Sequence, residues 1–190
     1  MNKNLFVIVI IICLSVSCQT ASYVHDIEST PYGVDFRNGK WLLNKIESPE
    51  VIKQKLTKII FDGFSKHLGD KLYDINNIIS ISLSYVPINP DTLLLKRLKK
   101  ESQFDYLINV KANSIRDDLG LSASKFDYLH KNIAETVLEI YDLNTLEIIY
   151  SRKVTGSISI DESNNRDFIF TKGVNGIMIS GLKKIMKKIR

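Results

Sequence analysis

Residues Leu5 to Cys18 read LFVIVIIICLSVSC, and the twelve from Leu5 to Val16 include one polar side chain, Ser15. A helix that crosses a bilayer needs about 20 apolar residues, whereas about 10–14 suit the core of an export signal or a buried helix. Ahead of the run stands a short cationic segment, Met1-Asn2-Lys3-Asn4, and behind it come Ser15, Ser17 and the polar pair Gln19-Thr20. That order is the layout of a secretory signal, covering residues 1–17, that is removed after export. A buried N-terminal helix is the competing structural reading.

Cys18 adds chemistry to the run. The segment Leu14-Ser15-Val16-Ser17-Cys18 resembles the lipobox of bacterial lipoproteins, in which the chain is cut before a cysteine and a lipid is joined to its sulfur. Family lipoboxes usually carry leucine three positions before the cysteine. Here Ser15 holds that place, Leu14 lies one step back, and the small Ser17 fits. The resemblance implies that Cys18 is the lipid attachment site, carrying palmitate-type acyl chains, and that the membrane is a partner through this anchor. Gln19 rather than Asp follows Cys18. By analogy with enterobacterial sorting, that implies the outer membrane, on its periplasmic face. Ordinary secretion is the alternative. Thiol arithmetic agrees with lipidation, since the only cysteines are Cys13 and Cys18. Cleavage removes the first and the lipid consumes the second, leaving no unpaired thiol in an exported protein.

The mature chain would run from Cys18 to Arg190, long enough for one domain with a proper core. Losing Lys3 takes the formal charge from +5 to +4, too mildly basic to argue for nucleic acid. Residues 18–40, holding Pro31, Gly33 and Gly39, read as the lipidated N-terminus and a tether of about 70 Å if fully extended. Tyr23, Tyr32 and Phe36 offer a second option, docking part of it on the domain.

Regular structure is expected over 41–190. Trp41–Ile46 reads as a short strand. Ser48-Pro49-Glu50 then supplies an N-cap, a first-turn proline and a first-turn acid. The helix that follows carries Ile52, Leu56, Ile59, Ile60, Phe64 and Leu68 at the helical period and ends at Gly69. Ile79, Ile81, Leu83 and Tyr85 alternate with serines as a strand, and Asn89-Pro90-Asp91 starts a second helix through Leu94 and Leu98. Tyr106–Ala112 is the next strand, and residues 113–132 read as a long polar connection. Ile133–Tyr141 and Leu146–Val154 flank Asp142-Leu143-Asn144-Thr145 as a hairpin. A last helix places Val174, Met178, Gly181, Leu182, Ile185 and Ile189 in one apolar stripe, with Lys183, Lys184, Lys187 and Lys188 beside it. The fold class is α+β, an α/β sandwich: a mixed sheet of about five strands with a C-terminal hairpin and about three helices packed on it.

The segment AETVLEIYDLNTLEIIYSRKVTG, Ala134 to Gly156, resembles the hairpin of small periplasmic lipoprotein domains. These include the curli-secretion lipoprotein, the lipoprotein activators of penicillin-binding proteins and the N-terminal domain of the Tol-system propeller protein. Asp142 and Thr145 match their turn, and Leu146 stands where glycine is usual. The resemblance implies an envelope domain that binds other proteins, or a subunit of a secretion complex.

No catalytic constellation emerges. His25, His67 and His130 share no ligand spacing, and HExxH, CxxC, GxSxG and P-loop patterns are absent. Ser122–Lys125 and Ser180–Lys183 match Ser-x-x-Lys, in which a lysine activates a serine, but Lys-Thr-Gly is missing. Asp161–Asp167 alternates oxygen side chains as a calcium loop does, yet Arg166 replaces the required glycine and Lys172 the closing glutamate. Asp117-Asp118 reads as solvated surface. The basic end KKIMKKIR fits either the solvated face of a helix or contact with anionic headgroups, and the former is preferred. The expectation is a non-enzymatic, lipid-anchored envelope protein that binds or scaffolds another envelope protein, with no catalytic residue, no cofactor and no metal. The alternatives are a subunit of a secretion or assembly complex and, further off, a small envelope hydrolase.

Overall fold

The computed structural model describes residues 21–29, 34–78, 85–118, 129–161 and 172–189. The signal segment 1–17, Cys18, the serine-rich strand read at 79–84, the Ser122–Lys125 pair and most of the calcium-like loop lie outside them. Among the described residues, six strands form one mixed sheet: β1 (Ser22–Ser29), β2 (Trp41–Leu43), β3 (Leu72–Asp74), β4 (Tyr106–Asp117), β5 (Leu129–Asp142) and β6 (Glu147–Asp161). Their spatial order is β1-β6-β5-β4-β2-β3. Three α-helices among the described residues, α1 (Glu50–Leu68), α2 (Thr92–Ser102) and α3 (Val174–Met186), complete the α+β architecture.

Helices α1 and α3 cover one face of the sheet. Ile52, Leu56, Ile60, Phe64 and Leu68 recur at the helical period along α1, so they share one buried stripe. Along α3 the buried set is Val174, Ile177, Met178, Gly181, Leu182 and Ile185. Both stripes meet Leu43, Ile108, Val110, Ala134, Leu138, Val154 and Ile158 on the strands in one apolar cluster. Two glycines set how closely α3 approaches. A Cβ on Gly156 would stand 2.4 Å from Ile177 and 2.7 Å from the Tyr23 ring, and one on Gly181 would press on Thr136. Thr136 in turn donates its hydroxyl to the Met178 carbonyl at 3.1 Å.

The second face is covered only in part. Leu95 and Leu98 of α2 pack with Leu42, Ile75, Val86, Phe104, Leu107, Tyr141 and Leu143 in a smaller cluster at the β2–β4 corner. Asp91 caps α2, its carboxylate accepting the Leu94 N–H at 2.7 Å.

Several expectations change. Among the described residues the sheet has six strands where about five were expected: Leu72–Asp74 adds β3, and residues read as a tether form β1, which pairs antiparallel with β6 from Ser22↔Ser157 to Ser29↔Tyr150. Farther along, Phe36 packs against Trp41 and Phe64 with centroids 5.3 and 6.1 Å apart. Lys71 Nζ donates to the Phe36 and Arg37 carbonyls. The docking option therefore describes this stretch better than a free tether. The polar connection at 113–132 is mostly sheet at its ends: β4 continues to Asp117 and β5 begins at Leu129, and their long antiparallel ladder satisfies the backbone of these polar residues. Ser48 does not cap α1; Pro49 occupies the cap position without a side-chain bond. Beyond α1, the strand that joins the sheet within the described residues is Leu72–Asp74, parallel to β2.

Candidate functional site

The strands alternate their side chains between the two faces, so the residues between core positions must face the other way. On β4, β5, β6 and β1 those residues are Lys111, Glu135, Val137, Glu139, Ser151, Lys153 and Asp26. With Ile88 and Asn89 they line a concavity of about 490 Å³ on the face away from α1 and α3. Its floor mixes charges: Lys153 lies 3.3 Å from Asp26 across the β1–β6 pair.

One wall is the segment 85–90, held down by an asparagine pair. The Asn44 amide donates to the Val86 carbonyl at 2.6 Å and to Asn109 Oδ1 at 2.8 Å, and its oxygen accepts the Val86 N–H. Asn109 donates to the Pro87 carbonyl at 2.7 Å. Both asparagines are buried, so each bond also avoids the cost of an unmatched polar group.

Glu139, 3% exposed, fixes the same wall from below. Its carboxylate accepts the Tyr141 hydroxyl at 2.5 Å and the Asn89 N–H at 3.3 Å. Burial, then the Glu139 charge and bond, pushes the Tyr141 hydroxyl far above its ordinary pKa, so it stays a proton donor. At the rim, Glu47 is placed by a parallel bridge to Lys111. It accepts Tyr85 at 2.5 Å and Lys111 at 2.7 Å. Burial alone would raise the Glu47 pKa, but these two donors outweigh it and hold it below the usual carboxylate value. Burial and the neighbouring Glu47 push the Tyr85 pKa up to about 12. These groups are tied to one another as anchors of the wall. The floor residues Ser151, Lys153 and Glu135 lie beside this wall, with Lys153 paired to Asp26.

The other residues singled out in the sequence do not assemble. On α3, Ser180 is half-buried and Lys183 exposed, but Ser180 Oγ takes its hydrogen bond from Lys172 at 2.7 Å. His67 stacks on Phe36 at 5.1 Å and His25 sits on β1, on the face toward α3. Asp117 ends β4, while Asp118 pairs with Arg116 and accepts the Lys131 N–H. Among the described residues no group of His, Cys, Asp and Glu side chains could hold a metal ion. No helix among them is long and apolar enough to cross a membrane. Sequence reasoning missed Glu139 and Glu47, although Glu139 shares the strand phase of buried Val137 and Tyr141, where a carboxylate needs a partner.

No protein-family model matches the chain, and no curated protein matches it. Among solved structures it is similar to the PelC dodecamer of Paraburkholderia phytofirmans, at 12% identity over 87% of this chain and 95% of that one, with a TM-score of 0.48. It is also similar to the hypothetical protein CT253 of Chlamydia trachomatis, at 12% identity over 80% and 95% of the two chains and a TM-score of 0.43. A third likeness is to lipoprotein GNA1162 of Neisseria meningitidis, at 11% identity over 79% and 99% and a TM-score of 0.38.

Proposed function

We propose that this chain is a bacterial envelope lipoprotein, anchored through Cys18 and acting without catalysis as a binding or scaffolding domain on the periplasmic side of the outer membrane. The observation that carries the reading is the apolar run ending at Cys18, too short to span and closed by a lipobox-like step. Each buried CH₂ of a lipid contributes about 0.8 kcal/mol, and more than one acyl chain is needed for lasting attachment. A diacylglyceryl cysteine meets that condition. The anchor leaves the folded domain free to work as a surface.

The surface that suits a protein partner is the open sheet face. It is concave, carries Asp26, Glu135, Lys111 and Lys153 in mixed order, and lies beyond the corner that α2 covers. A photo-crosslinking residue at Ser151 samples this face, and one at Lys58 samples the solvent side of α1. In intact cells, one defined envelope protein is expected to be captured from Ser151 and not from Lys58. Capture from Lys58 alone, or nothing from Ser151, contradicts the reading.

A further inference from the structure

Arg152 lies in β6 among residues that face α3. Tyr150, Arg152, Val154, Gly156 and Ile158 share one strand phase, and that phase is the core side. Arg152 is 8% exposed, yet its Nε and Nη1 have no hydrogen-bond partner among the described residues. The Tyr150 hydroxyl, also buried, lacks one too. The guanidinium lies beside that hydroxyl, close enough for the two to interact though short of full hydrogen-bond geometry. Burial raises the Tyr150 pKa and the Arg152 charge works against that rise.

The surroundings are cationic. His25 pairs with Val154 across β1 and β6, two residues from Arg152 on the same face. Lys184, in the last turn of α3, places Nζ 4.6 Å from the ring centre of Tyr23, which is itself two residues from His25. Lys188 follows one helical turn later. Burial first, then the charges of Arg152, Lys184 and Lys188, hold His25 below its ordinary pKa. Three cationic side chains therefore converge near one imidazole. Burying a charge without a partner is strongly unfavourable, and native proteins rarely leave such donors unmatched.

We propose that Arg152, with Tyr150, His25, Lys184 and Lys188 around it, forms a binding site for a phosphate group. Arg152 supplies buried, desolvated donors, where charge-assisted bonds are strongest. The Tyr150 hydroxyl donates a further bond, and the lysines at the rim attract the anion and neutralise its outer oxygens. Inorganic phosphate and the headgroup of an anionic phospholipid present the same oxygens. The site does not depend on lipidation of Cys18 or on a partner at the open face.

The test uses the full chain carrying Cys18→Ser, so that no lipid holds it on a vesicle. Melting is followed with sodium phosphate against sodium chloride at equal ionic strength, and flotation with phosphatidylcholine vesicles with and without phosphatidylglycerol. Phosphate is expected to raise Tm, because a ligand that binds only the native state stabilises it. Arg152→Met is expected to keep the melting point seen in chloride or raise it, and to weaken phosphate binding at least tenfold. Lys184→Ala/Lys188→Ala, at exposed positions on the rim, should weaken binding less. Flotation only on phosphatidylglycerol vesicles, lost in Arg152→Met, identifies a headgroup as the source. A response to phosphate without flotation identifies a soluble phosphate. The proposal is overturned if neither probe binds, or if Arg152→Met responds to phosphate as the parent chain does.

Discussion

Glu139 and Arg152 stand on opposite faces of one hairpin, and both are almost wholly removed from water. Glu139 accepts from Tyr141 and from the Asn89 backbone, so its charge is answered inside the fold. Arg152 keeps two buried nitrogens without a partner among the described residues. The contrast separates a charge that builds structure from one that waits for a ligand. A buried carboxylate with internal donors locks the wall of the open face. A buried guanidinium without acceptors costs the fold stability unless an anion arrives.

The sharpest way to break this comparison is Glu139→Leu. It leaves the Tyr141 hydroxyl and the Asn89 N–H without their acceptor, and urea unfolding is expected to show a loss of about 3 kcal/mol. A loss of the same size in Arg152→Met would erase the distinction between the two charges. A smaller effect is carried by pH. Glu47 and Asp105 both have folded pKa values held below the ordinary carboxylate range. In each, burial pushes up, but donors push down further: Lys111 and Tyr85 for Glu47, the Lys40 backbone and Lys99 for Asp105. The unfolded chain therefore binds protons first as pH falls. Their contribution is fully present above the ordinary value of about 4 and drains away as pH drops through the lower folded values. The urea midpoint should fall across that window, and Lys111→Met should make the fall shallower. A midpoint unchanged between neutral and strongly acid pH contradicts the assignment. The smallest effect belongs to Lys153→Ala, whose contact with Asp26 is solvent-exposed. Its stability should stay within about 0.5 kcal/mol of the parent. If the open face binds a partner, however, this change should weaken the crosslink at Ser151.

The same contrast explains what was legible in the sequence. Helices α1 and α3 and the β5–β6 hairpin follow from periodicity, because their apolar stripes are local and repeat along the chain. Even the turn departs from pattern in a readable way: Leu146 adopts a φ of +62°, the left-handed region where a glycine would sit without strain. Strand β1 was not legible. Tyr23 and His25 alternate toward the core side, but Val24 stands 66% exposed between them, and the partner strand lies more than a hundred residues away. The continuation of β4 and β5 through residues 113–117 and 129–132 was hidden for a related reason. Its ladder is satisfied by backbone bonds rather than by an apolar pattern.

For the candidate sites, Arg152 could have been found from its phase alone. It interrupts the buried series Tyr150, Val154 and Ile158 along one strand. Glu139 interrupts Val137 and Tyr141 in the same manner. Phase identifies a charge in the wrong place. Only the three-dimensional arrangement tells whether the fold supplies its partner, because Asn89 lies 50 residues from Glu139 in sequence.

The anchor itself is tested most directly by the intact mass and N-terminal residue of the chain extracted from bacterial envelopes. The expected product begins at Cys18 and is heavier than the bare polypeptide by a diacylglyceryl group, with or without a third acyl chain. A product that begins at Met1, or one that begins near Cys18 with its thiol unmodified, would contradict the account.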